Sequence, residues 1–322
     1  MRLISSLARS GLVLAILGCA SAFATDKVTV AVTAIVEHPS LDAARAGIKK
    51  ALGDAGYKEG ETLNFEFESA QGQPATAAQI AQKFVGENPN VIVAIATPSA
   101  QAVVSATQDV PVVFTAVTDP VAAQIVKDRD HPGGNVTGIS DFSPIGVHLD
   151  LIREILPSAV KIGVPFNPGE SNSIALLKAL KDLAPARGFE IVEAPATKSA
   201  DVAGAAQSLV GKVDAIYLPT DNTIVSALET ILAVGTENKL PVFAGETDTV
   251  ARGAIASVGF DYFQVGVQTG EIVVRILKGE KPGDIPVRNA SGTDLVVNAK
   301  AAAAMGVTVP QPVLDRAKRV IQ

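Results

Sequence analysis

Short apolar runs alternate with longer amphipathic runs along most of the chain. The apolar runs are rich in Val and Ile and hold few polar positions, which is typical of strands that are covered on both faces. We predict two successive series of strands, at 28–32, 63–68, 91–96, 112–116 and 136–139, and then at 161–166, 190–194, 215–218, 242–245 and 254–259.

The amphipathic runs between these strands are predicted as helices. In the run 41–55, helical spacing places four apolar side chains, from Leu41 to Leu52, on one face. The runs 174–183 and 264–277 carry comparable apolar stripes. Strands that alternate with helices in this way predict an α/β fold, in which parallel sheets are covered by helices.

The two series of strands resemble each other in the order of their landmarks. Thr97-Pro98-Ser99 follows a strand of the first series, and Thr220-Asp221-Asn222 follows the corresponding strand of the second. Further on, Thr118-Asp119 in the first series corresponds to Thr247-Asp248 in the second. Repeated landmarks at a nearly constant offset indicate an internal duplication. We therefore predict two similar βαβ lobes.

Composition and charge narrow the classes of function. The 322 residues include 27 Lys and Arg against 33 Asp and Glu, a net charge of −6, without a basic cluster that would bind nucleic acid. One Cys excludes a disulfide framework or a thiolate metal site. The three His residues (His38, His131 and His148) lack metal-ligand spacing. No metal and no organic cofactor is implied.

The first residues have the order of a secretory signal peptide. Arg2 and Arg9 give a positive start, an apolar run follows at 11–17, and Ala22-Phe23-Ala24 forms a cleavage site. We predict a signal peptide over residues 1–24, cleaved after Ala24, and a mature protein in the periplasm. The alternative is a lipid anchor at Cys19, because the residues before it resemble a lipobox.

The loops that follow the predicted strands are rich in hydroxyl and carboxylate side chains. Ligands of parallel α/β sheets bind beyond the carboxyl ends of the strands, where helix N-termini offer N–H groups to a carboxylate. The same loops carry acids that suit an ammonium group, namely Glu37, Asp119, Asp141, Glu170, Asp221, Glu246 and Asp261. Loops that offer partners for both a carboxylate and an ammonium group favour an amino acid as the ligand. The small number of aromatic residues argues against a sugar, which commonly stacks on aromatic side chains.

Several segments carry a resemblance to a known family. They are Glu37-His38-Pro39-Ser40-Leu41-Asp42, Phe114-Thr115-Ala116-Val117-Thr118-Asp119-Pro120, Gly134-Asn135-Val136-Thr137-Gly138-Ile139-Ser140-Asp141, Asn167-Pro168-Gly169-Glu170-Ser171-Asn172-Ser173, Leu218-Pro219-Thr220-Asp221-Asn222, Gly259-Phe260-Asp261-Tyr262 and Leu295-Val296-Val297-Asn298. In these segments the chain resembles the substrate-binding proteins of ABC importers, in the group that includes tryptophan- and other aromatic amino-acid-binding members.

The resemblance implies a type I periplasmic-binding fold, in which two Rossmann-like lobes joined by three crossovers close on a ligand by hinge motion. It implies crossovers near Asp141, at 259–261 and at 285–287. The N-terminal lobe then comprises 25–141 plus 260–285, and the C-terminal lobe comprises 142–259 plus 286–322.

The resemblance also implies a set of ligand-binding residues. These are Glu37, Thr97, Ser99, Thr115, Asp141, Glu170, Asn172, Ser173, Thr220, Asp221, Asn222 and Glu246. Hydroxyl and N–H groups among them would bind a carboxylate, and Asp141 or Asp221 would bind an ammonium group.

The implied function is an extracytoplasmic receptor, monomeric and without catalytic activity, that passes an aromatic amino acid to an inner-membrane ABC permease. One alternative is a protein that senses the same ligand for a membrane receptor. Another is an exported α/β hydrolase, but Gly138-Ile139-Ser140-Asp141 lacks the closing glycine of a nucleophile elbow. His38 is interpreted as a capping or solvated residue and not as a catalytic base.

Overall fold

The computed structural model describes residues 27–322. The predicted signal peptide and the alternative anchor at Cys19 lie outside these residues. The strands are β1 (Val28–Ala34), β2 (Leu63–Ser69), β3 (Val91–Ile95), β4 (Val112–Val117), β5 (Val136–Ser140), β6 (Lys161–Phe166), β7 (Glu190–Pro195), β8 (Ala215–Leu218), β9 (Val242–Ala244), β10 (Ala256–Phe260), β11 (Arg288–Asn289), β12 (Thr293–Asn298) and β13 (Arg319–Ile321).

The α-helices fill most of the remaining chain. They are α1 (Pro39–Asp54), α2 (Pro74–Glu87), α3 (Thr97–Ala106), α4 (Ile145–Ile155), α5 (Ser171–Leu183), α6 (Val202–Leu209), α7 (Asn222–Ser226), α8 (Leu228–Glu237), α9 (Thr247–Arg252), α10 (Tyr262–Leu277), α11 (Ala299–Ala304) and α12 (Gln311–Arg316). Across residues 27–322, no helix combines the length and the apolar character that a bilayer crossing requires.

We call the part of the chain built on the six-stranded sheet the first lobe. This sheet has the order β11-β5-β4-β3-β1-β2, and all of its strands are parallel. The strand order reverses between β1 and β3. The loops that follow these two strands therefore diverge and leave a crevice at the carboxyl edge.

The second lobe is built on two further sheets. A four-stranded parallel sheet has the order β7-β6-β8-β9, with its reversal between β6 and β8. A three-stranded sheet has the order β10-β12-β13, and β10 pairs with β12 in the antiparallel sense. The predicted class, parallel sheets covered by helices, is confirmed. The sequence analysis missed β12 and β13.

The chain passes three times between the apolar cores of the two lobes. It leaves the first core after β5, since Ile145 is buried in the second core, and it returns at Phe260. It leaves again only after Ala290, which is buried in the first core. The third crossover was predicted at 285–287. That position is wrong, because the next residues form β11 and pair with β5 in the first sheet.

Helices α1 and α10 of the first lobe pack at unusually close range through glycine. A Cβ atom on Gly266 would overlap the carbonyl oxygen of Ala44, and one on Gly47 would overlap the carbonyl oxygen of Phe263. A Cβ atom on Gly270 would lie 2.6 Å from the Cβ atom of Ala51. The absence of side chains at these three glycines therefore sets the distance between the helices.

Candidate functional site

A cavity lies between the two lobes, at the carboxyl ends of their parallel strands. Its lining residues are His38, Leu41, Ala116, Thr118, Asp141, Asn172, Thr220, Asp221, Asn222, Val225, Glu246 and Tyr262. The loop after β1 supplies His38, and the loop after β8 supplies Thr220 and Asp221. Both loops follow strands at which the strand order reverses, so the topology of the two sheets places the cavity.

The two lobes are in direct contact beside this cavity. The hydroxyl of Ser40, in the first turn of α1, donates a hydrogen bond to Oε1 of Glu246 at 2.9 Å. Ser40 is 1% exposed and Glu246 is 3% exposed. Helix α3 of the first lobe also contacts α5 of the second. Residues of both lobes therefore shield the cavity from solvent.

Asp141 follows β5 at the first crossover and carries a carboxylate that is only partly paired. Its Oδ2 accepts a hydrogen bond from the hydroxyl of Tyr262 at 2.6 Å, whereas its Oδ1 is buried without a partner among residues 27–322. Burial raises the pKa of Asp141 to about 6, although the bond from Tyr262 acts in the opposite direction. This carboxylate has acceptor capacity left for an ammonium group.

Asp221 also lines the cavity, but its oxygens already accept hydrogen bonds from the protein. Oδ2 accepts from the N–H of Asn167 and from the hydroxyl of Ser173, both at 2.6 Å. Oδ1 accepts from the N–H of Ile224 at 3.0 Å and so caps α7. Burial, followed by the charge of Glu170, raises the pKa of Asp221. Of the two acids predicted for an ammonium group, Asp141 has the unpaired oxygen.

Glu170 organises the loops of the second lobe behind the cavity. Its Oε1 accepts from the N–H and the hydroxyl of Thr223, at 3.0 and 2.7 Å. Its Oε2 accepts from the N–H of Asn222 and from Nδ2 of Asn172, both at 3.1 Å. Glu170 itself lines a second cavity, which shares Asn222 with the first. Glu170 therefore fixes two residues of the first cavity without lining it.

The start of α3 presents buried hydroxyl groups toward the crevice of the first lobe. Thr97 is 1% exposed and Ser99 is 0% exposed, and neither hydroxyl has a hydrogen-bond partner among the described residues. Ala96, immediately before them, has φ 74° and ψ 154°. Free N–H groups and hydroxyls at a helix start form a suitable environment for a carboxylate.

The structure brings half of the predicted site residues to the cavity. Those that line it are Asp141, Asn172, Thr220, Asp221, Asn222 and Glu246. Four others, Thr97, Ser99, Glu170 and Ser173, are buried but do not line this cavity. Thr115 is buried as well, but its Oγ1 accepts a hydrogen bond from the hydroxyl of Thr269 at 2.8 Å. Thr115 therefore makes a hydrogen bond inside the first lobe and does not line the cavity.

The prediction for Glu37 is wrong. Its side chain is 51% exposed, and it faces the guanidinium of Arg45 at 3.6 Å. The next residue takes the expected place, because the ring of His38 lines the cavity. Burial lowers the pKa of His38 to about 4, so the ring is neutral near pH 7. His38 occupies the N-cap position of α1, as one part of the interpretation held, but its side chain makes no cap hydrogen bond. The alternative of a solvated residue is wrong, because His38 is buried.

Two further polar residues of the cavity, Thr118 and Tyr262, were missed as site residues, and so were the apolar Leu41, Ala116 and Val225. Thr118 and Tyr262 lie in segments that carried the family resemblance, and this was the available signal. The position of Tyr262 at the second crossover lets its hydroxyl reach Asp141. Within residues 27–322, no cluster of three or more His, Cys, Asp or Glu side chains is arranged to hold a metal ion.

Comparison of the sequence with known proteins gives a consistent result. Residues 29–321 match the family model described as "ABC transporter substrate binding protein". The "Tyrosine-binding protein" of Clostridioides difficile (strain R20291) is 44% identical over 269 residues, which cover 84% of this chain and 78% of that protein.

Two solved structures of related proteins, one with a bound ligand and one without, differ in how closely they superpose on this structure. The ABC domain in complex with L-Trp from Streptococcus pneumonia has a TM-score of 0.89 at 36% identity, and covers 92% of this chain and 100% of that chain. The ligand-free, open structure of a substrate-binding protein with adhesive properties from Clostridium difficile has a TM-score of 0.69 at 42% identity. That match covers 92% of this chain and 99% of the other. The lobes described above are therefore arranged more as in the L-Trp complex.

Proposed function

The chain belongs to the family of ABC transporter substrate-binding proteins, and from that premise we propose that it captures an aromatic amino acid between its lobes. We propose further that the closed form delivers this ligand to a membrane permease. Capture then takes place outside the cytoplasm, which agrees with the predicted signal peptide. The relatives named for tyrosine and solved with L-Trp support the choice of an aromatic ligand.

The observation that carries the proposal is the free oxygen of Asp141 in a cavity enclosed by both lobes. A buried carboxylate is unfavourable unless a cation or hydrogen-bond donors compensate it. Lys and Arg are absent from the lining of this cavity. An α-ammonium group supplied by the ligand would provide the charge and the N–H donors that Oδ1 of Asp141 lacks.

We propose that the carboxylate of the amino acid binds at the start of α3, whose buried hydroxyls do not line the cavity in this arrangement. The hydroxyls of Thr97 and Ser99 can donate to a carboxylate, and the positive end of the α3 dipole adds a favourable field. Leu41 and Val225 supply apolar surface to the cavity. We propose that they contact the aromatic ring.

Isothermal titration calorimetry of the purified protein against L-Tyr, L-Trp, L-Phe and a set of sugars tests the proposal. We expect at least one aromatic amino acid to bind and the sugars to give no heat. Asp141→Asn should weaken that binding by about 100-fold or more, because the ammonium loses its counter-charge. Glu37→Gln, at the exposed acid that does not reach the cavity, is the matched control and should bind as the unmodified protein does.

Two results would contradict the proposal. One is the absence of heat with all three aromatic amino acids, after removal of any co-purified ligand by unfolding and refolding. The other is an Asp141→Asn variant that binds as tightly as the control.

A further inference from the structure

Asn172, in the first turn of α5, is held in one orientation. Its side chain is 3% exposed and lines the cavity between the lobes. Its Nδ2 donates to Oε2 of Glu170 at 3.1 Å and to the carbonyl oxygen of Thr220 at 3.0 Å. Both N–H bonds of the amide therefore have partners in the second lobe.

The chemistry of these two partners excludes the flipped amide. A carboxylate and a backbone carbonyl can only accept hydrogen bonds, so a flip would set the amide oxygen of Asn172 against two acceptors. The amide oxygen is consequently the atom left over. Oδ1 of Asn172 is buried and has no partner among residues 27–322.

This oxygen differs from the other unpartnered polar atoms of the cavity, except for Oδ1 of Asp141, which we assign to the ammonium. The hydroxyl of Thr220 and Nδ1 of His38 also lack partners among residues 27–322, but a hydroxyl or a neutral imidazole can either donate or accept. Oδ1 of Asn172 can only accept. A ligand that brings no donor to it leaves a buried carbonyl unsatisfied, which weakens binding.

We propose that Asn172 is a specificity-determining residue that accepts a hydrogen bond from the aromatic side chain of the ligand. The donor is the phenol O–H of tyrosine or the indole N–H of tryptophan, and phenylalanine is disfavoured because it has neither. The inference rests on the proposed function, in which Asp141 at the crossover binds the ammonium. Asn172, in the second lobe, can then accept a hydrogen bond from the aromatic end of the ligand.

The first test compares ligands on the unmodified protein. Titrations with L-Tyr, L-Trp, L-Phe, O-methyl-L-tyrosine and 1-methyl-L-tryptophan vary the donor and keep the amino-acid part unchanged. We expect the tighter of L-Tyr and L-Trp to exceed L-Phe and its own methylated form by about tenfold or more. Equal affinities for the donor ligand and L-Phe would overturn the inference but leave the proposed function standing.

The second test changes the protein. Asn172→Leu keeps the approximate size of the side chain and removes the acceptor, so discrimination against L-Phe should fall to about twofold or less. Thr223→Val is the matched control: it removes a hydroxyl that donates to the same Glu170 but leaves Oδ1 of Asn172 unchanged. This control should retain the preference for the donor ligand.

The outcomes separate the two proposals. An equal loss of affinity for L-Tyr, L-Trp and L-Phe in Asn172→Leu would show that Asn172 binds the part common to all amino acids, and would overturn the inference. Absence of binding by all three amino acids to the unmodified protein would remove the proposed function, and the inference with it. The ligand comparison remains decisive even where Asn172→Leu does not fold.

Discussion

Ala96 holds a backbone conformation, φ 74° and ψ 154°, that is reserved almost entirely for glycine. Hydrogen bonds hold it from both sides, because its N–H donates to the carbonyl of Thr115 at 2.9 Å and its carbonyl accepts from Ala100 at 3.1 Å. The residue ends β3 and directs the chain into α3. Local strain is thus located directly before the hydroxyls of Thr97 and Ser99, where we propose that the carboxylate binds.

Replacing Ala96 by glycine should relieve this strain. We expect Ala96→Gly to raise the free energy of unfolding by about 1 kcal/mol, since the relief exceeds the added entropy of the unfolded chain. Ala102→Gly in α3, where the backbone is helical, should lower it by about 1 kcal/mol. Urea denaturation measures both changes. A less stable Ala96→Gly variant would show that the conformation is not strained.

The raised pKa of Asp141 predicts a pH dependence of ligand affinity. In the ligand-free fold this pKa is about 6, because the carboxyl is buried, and a bound ammonium would lower it by favouring the charged form. Affinity should therefore be complete above about pH 7 and should fall by up to about tenfold per unit as the pH decreases through 6.

Calorimetric titrations between about pH 5 and 8 measure this slope. Burial also raises the pKa values of three other acids, Asp221, Glu246 and Asp248. Asp141→Asn isolates the contribution of Asp141, because the variant should lose most of the pH dependence along with its affinity. An unchanged slope in this variant would assign the titration to Asp221, Glu246 or Asp248.

At this scale, the sequence located the loops of the site but not the directions of their side chains. Loops that follow β-branched strands can be recognised from the pattern, and several cavity residues were found in this way. Whether Glu37 or His38 faces the cavity depends on the backbone torsions of a short loop between β1 and α1. Neighbouring residues in such a loop point in different directions, and the hydropathy pattern does not record which one turns inward.

At the scale of secondary structure, the strands that are buried and apolar are the ones that the sequence predicts correctly. The runs 161–166 and 215–218 coincide with β6 and β8, because both strands are apolar and are bordered by polar residues. Strand β12 reads Thr-Asp-Leu-Val-Val-Asn and is half polar, and β13 has three residues. Strand β12 pairs with β10, and β13 pairs with β12. Both partners are distant in sequence, and a local pattern cannot supply that information.

The contact between α1 and α10 gives a prediction at this scale. Gly266→Ala should lower the free energy of unfolding by about 2–3 kcal/mol, because the new methyl group meets the backbone of Ala44 and the helices must separate. Gly53→Ala, in the same helix pair but with open space around it, should raise stability by about 0.5–1 kcal/mol. Urea denaturation of both variants measures the difference, and similar values would refute the role of the close contact.

At the scale of the whole molecule, ligand affinity depends on how readily the lobes close. The hydrogen bond from Ser40 to Glu246 joins the lobes in the arrangement described above. In an arrangement with separated lobes both groups could meet water instead. The bond therefore favours closure without stabilising either lobe by itself, and a change in the closed population changes the apparent affinity in proportion.

Removing this bond should weaken ligand binding by about tenfold and leave the thermal unfolding of the ligand-free protein almost unchanged. The variant is Ser40→Ala, measured by calorimetry and by small-angle scattering at saturating ligand. Ser105→Ala is the control, because that hydroxyl donates within α3 to the carbonyl of Gln101 at 2.7 Å. Unchanged affinity in Ser40→Ala would show that the bond contributes nothing to closure.

The three glycines between α1 and α10 also limit how this chain can evolve. Every single-nucleotide change that replaces glycine by another residue adds a side chain. At Gly47, Gly266 and Gly270 even the smallest such change, to alanine, would bring a Cβ atom into overlap with the facing helix. Residues of the cavity lie on loops and near the ends of helices and strands, where single substitutions are easier to accommodate. We therefore expect that new ligand preferences can arise by single changes in the cavity lining, whereas single changes at these three glycines cost stability.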